Sequence, residues 1–385
     1  MMKVGTLLIH NGHETDKTLG IPTGALGTPI YQTSTFEQGD FFKSGKTQEF
    51  DYARSGNPTR KALEETIAAL EGGARGYAFS SGIAAVSSAL GIFAAGDHVV
   101  AAEDIYGGSY RMFNTFYKRW GLEYTAVDAS DPDNIKKALK FNTKALFLET
   151  PSNPLLKITD LRACLDIARS AGLVTIVDNT FMTPYLQRPL ALGADIVIHS
   201  ATKFLGGHSD VISGLAVTRT EELGKRLYAV QNGFGAVPGP WDCWIVQRGI
   251  KTLKVRLEAQ QDAAMRLALW LKEQPNVEAV YYPGLAEHPG RAVHLAQADG
   301  AGAVLSFKTR TIEQARRFLA KTRLAAAAVS LGGVETIASY PVRMSHAAIP
   351  PAERARLGVT DTLVRISAGI EDADDLIADF SQALE

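Results

Sequence analysis

The chain has 385 residues, of which 46% are hydrophobic and 21% charged, and a formal net charge of −1. That length accommodates more than one hydrophobic core, the near-neutral charge offers no grip on nucleic acid or a membrane surface, and no apolar run approaches the ~20 residues of a membrane span. Two cysteines (Cys164, Cys243) build no disulfide framework, no Cys/His cluster has metal-ligand spacing, and the first residues carry no apolar signal segment, so a metal-free protein of the reducing cytoplasm is expected.

Residues 1–58 carry breakers at Asn11-Gly12, Gly24, Gly27, Pro29, Ser44-Gly45 and Asn57-Pro58, and few periodic segments. They read as an arm laid on another surface. Within it, Tyr52 and Arg54 are two apart, so an extended backbone would point both the same way. A phenol beside an arginine fork suits a phosphate; the alternative is a turn leading into a helix. Thr59 is read as the N-cap of that helix, which runs to Leu70 and stops at Gly72-Gly73. Tyr77 to Ala85 predicts a strand, a tight turn and a helix reaching about Ala94. Small residues at its start, Ser81 and Gly82, leave backbone N–H groups free for an anion, or simply make a tight packing turn. After a strand over 97–102, Tyr106 stands beside Gly107 and Gly108, as a ring against a flat ligand would, or as a core aromatic. Lys144 to Glu149 is a strand followed by the Asn153-Pro154 turn, and Asp160 to Ala171 an amphipathic helix.

Leu173 to Val177 is a β-branched apolar run ending in Asp178, and Ala194 to Ile198 repeats the pattern before His199, Ser200, Thr202 and Lys203. Open α/β sheets bind ligands beyond the carboxyl ends of their strands, so an acid and a lysine delivered there suggest one pocket. A lysine that reacts with a carbonyl must be desolvated, and a carboxylate opposite a pyridine nitrogen keeps that ring protonated. The competing reading is a structural ion pair, or two unrelated surface charges. Beyond this, 221–233 is helical, and Trp241 to about Gln274 predicts one long helix joining a C-terminal part of helices and short strands such as Val304 to Phe307. The last predicted strand, from Leu363, holds a single arginine, Arg365, amid apolar residues. A buried arginine is costly unless paired; it meets an internal acid or clamps a ligand carboxylate. The alternation of strands and helices from 75 to 220 predicts an α/β, mainly parallel sheet with helices on both faces.

The wording of two segments narrows these alternatives. Val177 to Phe181 (Val-Asp-Asn-Thr-Phe) and Ser200 to Asp210 (Ser-Ala-Thr-Lys-Phe-Leu-Gly-Gly-His-Ser-Asp) closely resemble the Cys/Met-metabolism family of pyridoxal-phosphate enzymes, and the resemblance runs through the whole chain. It implies the aspartate-aminotransferase-like fold (fold type I): an arm over 1–58 reaching a neighbouring subunit's site, a cofactor domain over 59–250 and a smaller α/β domain over 251–385. It implies pyridoxal 5'-phosphate as cofactor, with Lys203 its covalent anchor and Asp178 its ring-nitrogen partner. Ser81, Gly82 and Ile83, where the family usually has methionine at 83, become the phosphate cradle, with Ser200 and Thr202 as further cofactor contacts. Tyr106 stacks on the ring and joins Lys203 as a catalytic residue, and Asn153 lies near the phenolic oxygen and the substrate. Tyr52 and Arg54 grip the partner's phosphate, which makes the protein at least a dimer and, by resemblance, a homotetramer. Arg365 clamps the substrate carboxylate, and Ser330 of Ser-Leu-Gly-Gly lines the substrate site.

Within the family the resemblance leans to bacterial cystathionine β-lyases, implying carbon–sulfur cleavage of cystathionine to homocysteine, pyruvate and ammonia in methionine biosynthesis. Two departures support this. Val329 stands where many γ-synthases and γ-lyases have glutamate, and Gly108 where methionine γ-lyases have cysteine. The segment from Tyr340 to Ala347 also looks most like β-lyases. Cystathionine γ-lyase, and γ-synthase or homoserine-ester sulfhydrylase, are the alternatives. A binding module that merely keeps the fold would be expected to have lost the lysine or the clamp.

Overall fold

A computed structural model of the protein describes residues 2–11, 24–39 and 48–385; the turn signals at Gly12 and Ser44-Gly45 lie outside these. The first sheet has seven strands: β1 (Arg75–Phe79), β2 (His98–Ala102), β3 (Glu123–Val127), β4 (Thr143–Glu149), β5 (Val174–Asp178), β6 (Ile196–Ser200) and β7 (Gly214–Thr218), in the order β1-β7-β6-β5-β4-β2-β3. β2 to β6 pair in parallel. β7 is antiparallel to both neighbours, so β1 runs the same way as β6. The carboxyl ends of β1, β4, β5 and β6 therefore share one edge. Helices cover both faces, and one core takes in Phe79, Phe147, Ile176, Val197 and Phe204. This two-sided burial is why these strands read as unbroken apolar runs rather than alternating ones.

A second sheet, β8 (Val277–Tyr281), β9 (Val304–Thr309), β10 (Ala326–Ala327), β11 (Ile337–Ser339) and β12 (Leu363–Ser367), is ordered β10-β11-β12-β9-β8 and antiparallel except for β10 with β11. It has its own core around Leu267, Phe307, Phe318, Val364 and Phe380. Among the described residues, no helix is long and apolar enough to cross a membrane, and no group of three or more His, Cys, Asp or Glu side chains could hold a metal ion.

Four local expectations need correction. The long helix is broken into Pro240–Ile250 and Leu253–Lys272. Gly249 lies so close to the Leu205-Gly206 backbone that a Cβ would meet the Gly206 carbonyl oxygen at 2.2 Å, and its own carbonyl accepts from Arg256 Nη2 at 2.7 Å and Thr252 Oγ1 at 3.2 Å. These side chains replace helix continuation at that point. The helix predicted to reach Ala94 ends at Leu90. Tyr52 and Arg54 do not lie on an extended segment: the Ser55 and Gly56 amides both donate to the Tyr52 carbonyl, closing a turn.

Thr59, finally, does not cap its helix, Pro58–Glu71. Asn57 does, its Oδ1 accepting from the amides of Thr59 (2.9 Å) and Arg60 (3.3 Å), while Thr59 Oγ1 instead bonds Tyr31 N and Pro29 O, both at 2.9 Å. Asn57→Ala should cost about 1–2 kcal/mol in chemical denaturation.

Candidate active site

A cavity of about 810 Å³ opens at the strand-end edge of the first sheet and is closed on its far side by loops of the second. Its lining includes Ser81, Gly82, Ile83, Tyr106, Asn153, Asp178, Ser200, Thr202, Lys203, Ser330 and Arg365. Residues separated by up to 284 positions are thus brought together from one side of the sheet, as the topology requires. Tyr52 and Arg54 do not line it.

Asp178 ends β5, and its Oδ1 accepts from Thr180 N (3.0 Å) and Thr180 Oγ1 (2.5 Å). Burial pushes its carboxyl above the ordinary range, partly offset by these bonds. Its register partner at the end of β4 is Glu149, also buried. Burial, then the Asp178 charge, raise Glu149 well above its ordinary value. Two buried acids side by side resist carrying two charges, so one proton stays on the pair. Glu149 Oε2 accepts the Tyr106 amide at 2.8 Å, which fixes the backbone carrying that ring. The sequence reading passed over Glu149 as a functional residue; its signal was a second acid closing the neighbouring strand. His199, by contrast, is absent from the cavity lining: it is fully buried and meets Glu71 Oε1 at 2.7 Å.

Lys203 Nζ donates to Ser330 Oγ at 2.6 Å. Burial, then the charge of Arg365, lower its pKa to about 8. Ser330 has φ +84, a left-handed conformation that costs a serine about 1–3 kcal/mol. That conformation lets one residue serve two cations, because its carbonyl accepts from Arg365 Nη2 at 2.6 Å. Arg365 Nη1 also bonds Asn153 Oδ1 (3.0 Å) and Nη2 bonds Ser339 Oγ (3.1 Å), while Nε has no partner. Among the described residues none of its partners is an acid, which disposes of the internal ion pair. Burial lowers the guanidinium to about 10, so it remains charged at neutral pH.

The other pole is the start of the helix Gly82–Leu90. Ser81 Oγ takes the Ala84 amide at 3.1 Å, so the amides of Gly82 and Ile83, which have no acceptor within the helix, remain available to an anion. A Cβ on Gly82 would stand 2.7 Å from Ser200 Cβ, so only glycine lets this turn meet β6. The half-exposed Tyr106 ring lies over Gly108, where a Cβ would come within 2.3 Å of its Cε1. Amides free for an anion, a buried lysine of lowered pKa, a half-exposed ring, a buried acid and an arginine with no acidic partner in one cavity fit a phosphorylated pyridine aldehyde together with an amino-acid carboxylate.

The profile of the Cys/Met metabolism PLP-dependent enzymes matches residues 5–385. A cystathionine β-lyase of Bacillus subtilis is 55% identical over 99% of this chain and 96% of its own length. A cystathionine γ-lyase of the same organism is 51% identical over 100% of both chains. The solved structure of a cystathionine γ-synthase from Xanthomonas oryzae, in complex with aminoacrylate and cysteine, superposes with TM-score 0.95 at 40% identity, covering 100% of this chain and 98% of that one. Whole-length identity of this order, on the same fold and around such a cavity, makes the chain a member of the Cys/Met-metabolism family of PLP-dependent enzymes.

Proposed function

We propose that the chain is a cystathionine β-lyase, cleaving cystathionine to homocysteine, pyruvate and ammonia in methionine biosynthesis. The carrying observation is Ser330 joining an amine that can lose its proton near neutral pH to an arginine with no acid of its own. On this reading Lys203 anchors pyridoxal phosphate. Gly82, Ile83, Ser81, Ser200 and Thr202 hold its phosphate, Tyr106 its ring face, Asp178 its nitrogen and Asn153 its phenolic oxygen. The bound cofactor supplies an electron sink for negative charge at the substrate Cα. Arg365 orients the α-carboxylate through its fork. Lys203 Nζ, which burial and Arg365 bring within reach of deprotonation near neutral pH, takes the Cα proton and returns a proton to the departing sulfur. The Glu149 and Asp178 pair, sharing one proton, retains one negative charge for the ring nitrogen.

The β over γ choice rests on the cavity wall. γ-Chemistry requires a second proton to be taken at Cβ, and among the described residues the acids lining the cavity are the strand-end pair Glu149 and Asp178. Position 329 offers an exposed valine instead. The 55% identical β-lyase supports the same choice. The 51% identical γ-lyase makes γ-elimination the second reading.

We further assign 1–58 as an arm, 59–250 as the cofactor domain and 251–385 as the C-terminal domain. Tyr52 and Arg54 stand outside the chain's own cavity, which supports their serving a neighbouring subunit in a shared-site dimer, paired into a tetramer, in the cytoplasm.

Incubation with pyridoxal phosphate and then borohydride should add the cofactor's mass to the peptide containing Lys203. Lys203→Ala should take up none and lose turnover on the order of a hundred- to ten-thousand-fold; full activity would refute the role. In cofactor-free protein, acylation of Lys203 should rise with pH through about 8, because the charged form is disfavoured. Arg365→Gln should move that midpoint upward, since it removes the repelling cation and leaves burial in place. With cystathionine as substrate, pyruvate and homocysteine are expected; 2-oxobutyrate and cysteine would establish the γ reading.

A further inference from the structure

One buried network outside the cavity is left unused by the chemistry above. Arg60, in the first turn of the helix Pro58–Glu71, is 3% exposed. Its Nη1 donates to the Ala53 carbonyl at 2.6 Å and its Nη2 to the Arg54 carbonyl at 3.1 Å. Those two carbonyls belong to the turn that carries Tyr52 and Arg54. On its other side Arg60 Nε pairs with Glu64 Oε1 at 3.3 Å. Glu64 Oε1 in turn accepts the Ala78 amide at 2.9 Å, while Gln231 Nε2 donates to the Ala78 carbonyl at 2.8 Å. Ala78 lies on β1, which leads directly into Ser81 and Gly82.

The chemistry of these partners is informative. An arginine spanning two consecutive carbonyls with its fork dictates the backbone of a short turn far more tightly than a surface contact could. Burying its charge is tolerable only because Glu64 is beside it. Burial pushes the Glu64 carboxyl upward, and the Arg60 charge is the first influence pulling it back. The turn in question does nothing for its own cavity. Its arginine stacks over its tyrosine, Arg54 Cζ lying 5.6 Å from the Tyr52 ring centre, and Arg54 Nη1 is steered by the Asn232 carbonyl at 2.5 Å and by Asn232 Oδ1 at 2.8 Å.

Resting on the reading of Tyr52 and Arg54 given above, we propose that Arg60 is a positioning residue for a phosphate site supplied to a second copy of the chain. It locks the donor turn to β1, the strand that forms the chain's own phosphate cradle. One buried arginine thereby ties the geometry of two phosphate sites in neighbouring subunits to one another. Arg60 itself touches no ligand.

The test is a comparison of two probes on cofactor-free full-length protein: pyridoxal phosphate and pyridoxal, which lacks the phosphate. Each is titrated by absorbance, and the ratio of dissociation constants reports the phosphate contribution alone. Arg54→Gln should cut that ratio by about tenfold, the worth of one charge-assisted bond. Arg60→Lys keeps the charge beside Glu64 but cannot span both carbonyls, and should cut the ratio by a comparable factor. Arg60→Gln with Glu64→Gln removes both buried charges together and should do the same while remaining folded, as judged by thermal melting. If Arg54→Gln leaves the ratio unchanged, the clamp reading itself falls. If Arg54→Gln lowers it and neither Arg60 variant does, or if the Arg60 variants weaken both probes equally, Arg60 is structural only and the inference is overturned.

Discussion

The site depends on a guanidinium that is buried, charged and without a carboxylate. Arg365 is held by three neutral oxygens: Asn153 from the turn after β4, Ser330 from the loop before β11, and Ser339 on β11. Neutral acceptors orient the fork without cancelling its charge, so the cation stands uncompensated in the folded protein. The same cation adds to burial in pushing protons off Lys203, so the charge of the arginine bears on the amine as well. Because its partners come from both sheets, the arginine also fixes how the two layers of the site face each other. Ser330 bears the conformational cost of this arrangement.

Much of this was legible in the residues. Apolar β-branched runs ending in Asp178 and before Lys203 identify buried parallel strands and a ligand edge, because a strand covered on both faces must be apolar throughout. Arg365 stood out as a charge in an apolar strand. What was not legible has a common cause: it depends on contacts remote in sequence. Asn57 outcompetes Thr59 as a cap because Pro29 and Tyr31 occupy the threonine hydroxyl. The helix breaks after Ile250 because of packing against Leu205-Gly206. Tyr52 and Arg54 lie in a turn closed by the Ser55 and Gly56 amides on the Tyr52 carbonyl, with Arg60 holding the Ala53 and Arg54 carbonyls. Glu149 matters because β4 and β5 align it with Asp178, and register is invisible to composition.

The two sides of the cavity are built by different means. The cofactor side is made of strand ends, helix amides and close backbone approaches, where a Cβ at Gly82 or at Gly214, 2.1 Å from the Ser81 carbonyl oxygen, would collide with main chain or with Ser200. The outward side is made of loop side chains such as Ile212, Val329 and Met344. The antiparallel strand β7 produces this division, since it lets β1 and β6 end together and brings Gly82 against Ser200.

For anyone redesigning the enzyme, that division sets a map of evolvability. Glycines 82 and 214 form a seam with no room for a Cβ, so substitutions there must displace the main chain or Ser200. Positions 212 and 329 present exposed side chains and can change size and polarity without moving the seam, whereas Met344 accepts the Tyr340 amide through its sulfur and is less free to change. New leaving groups would therefore be selected at the loops, with the chemistry of the strand ends inherited intact.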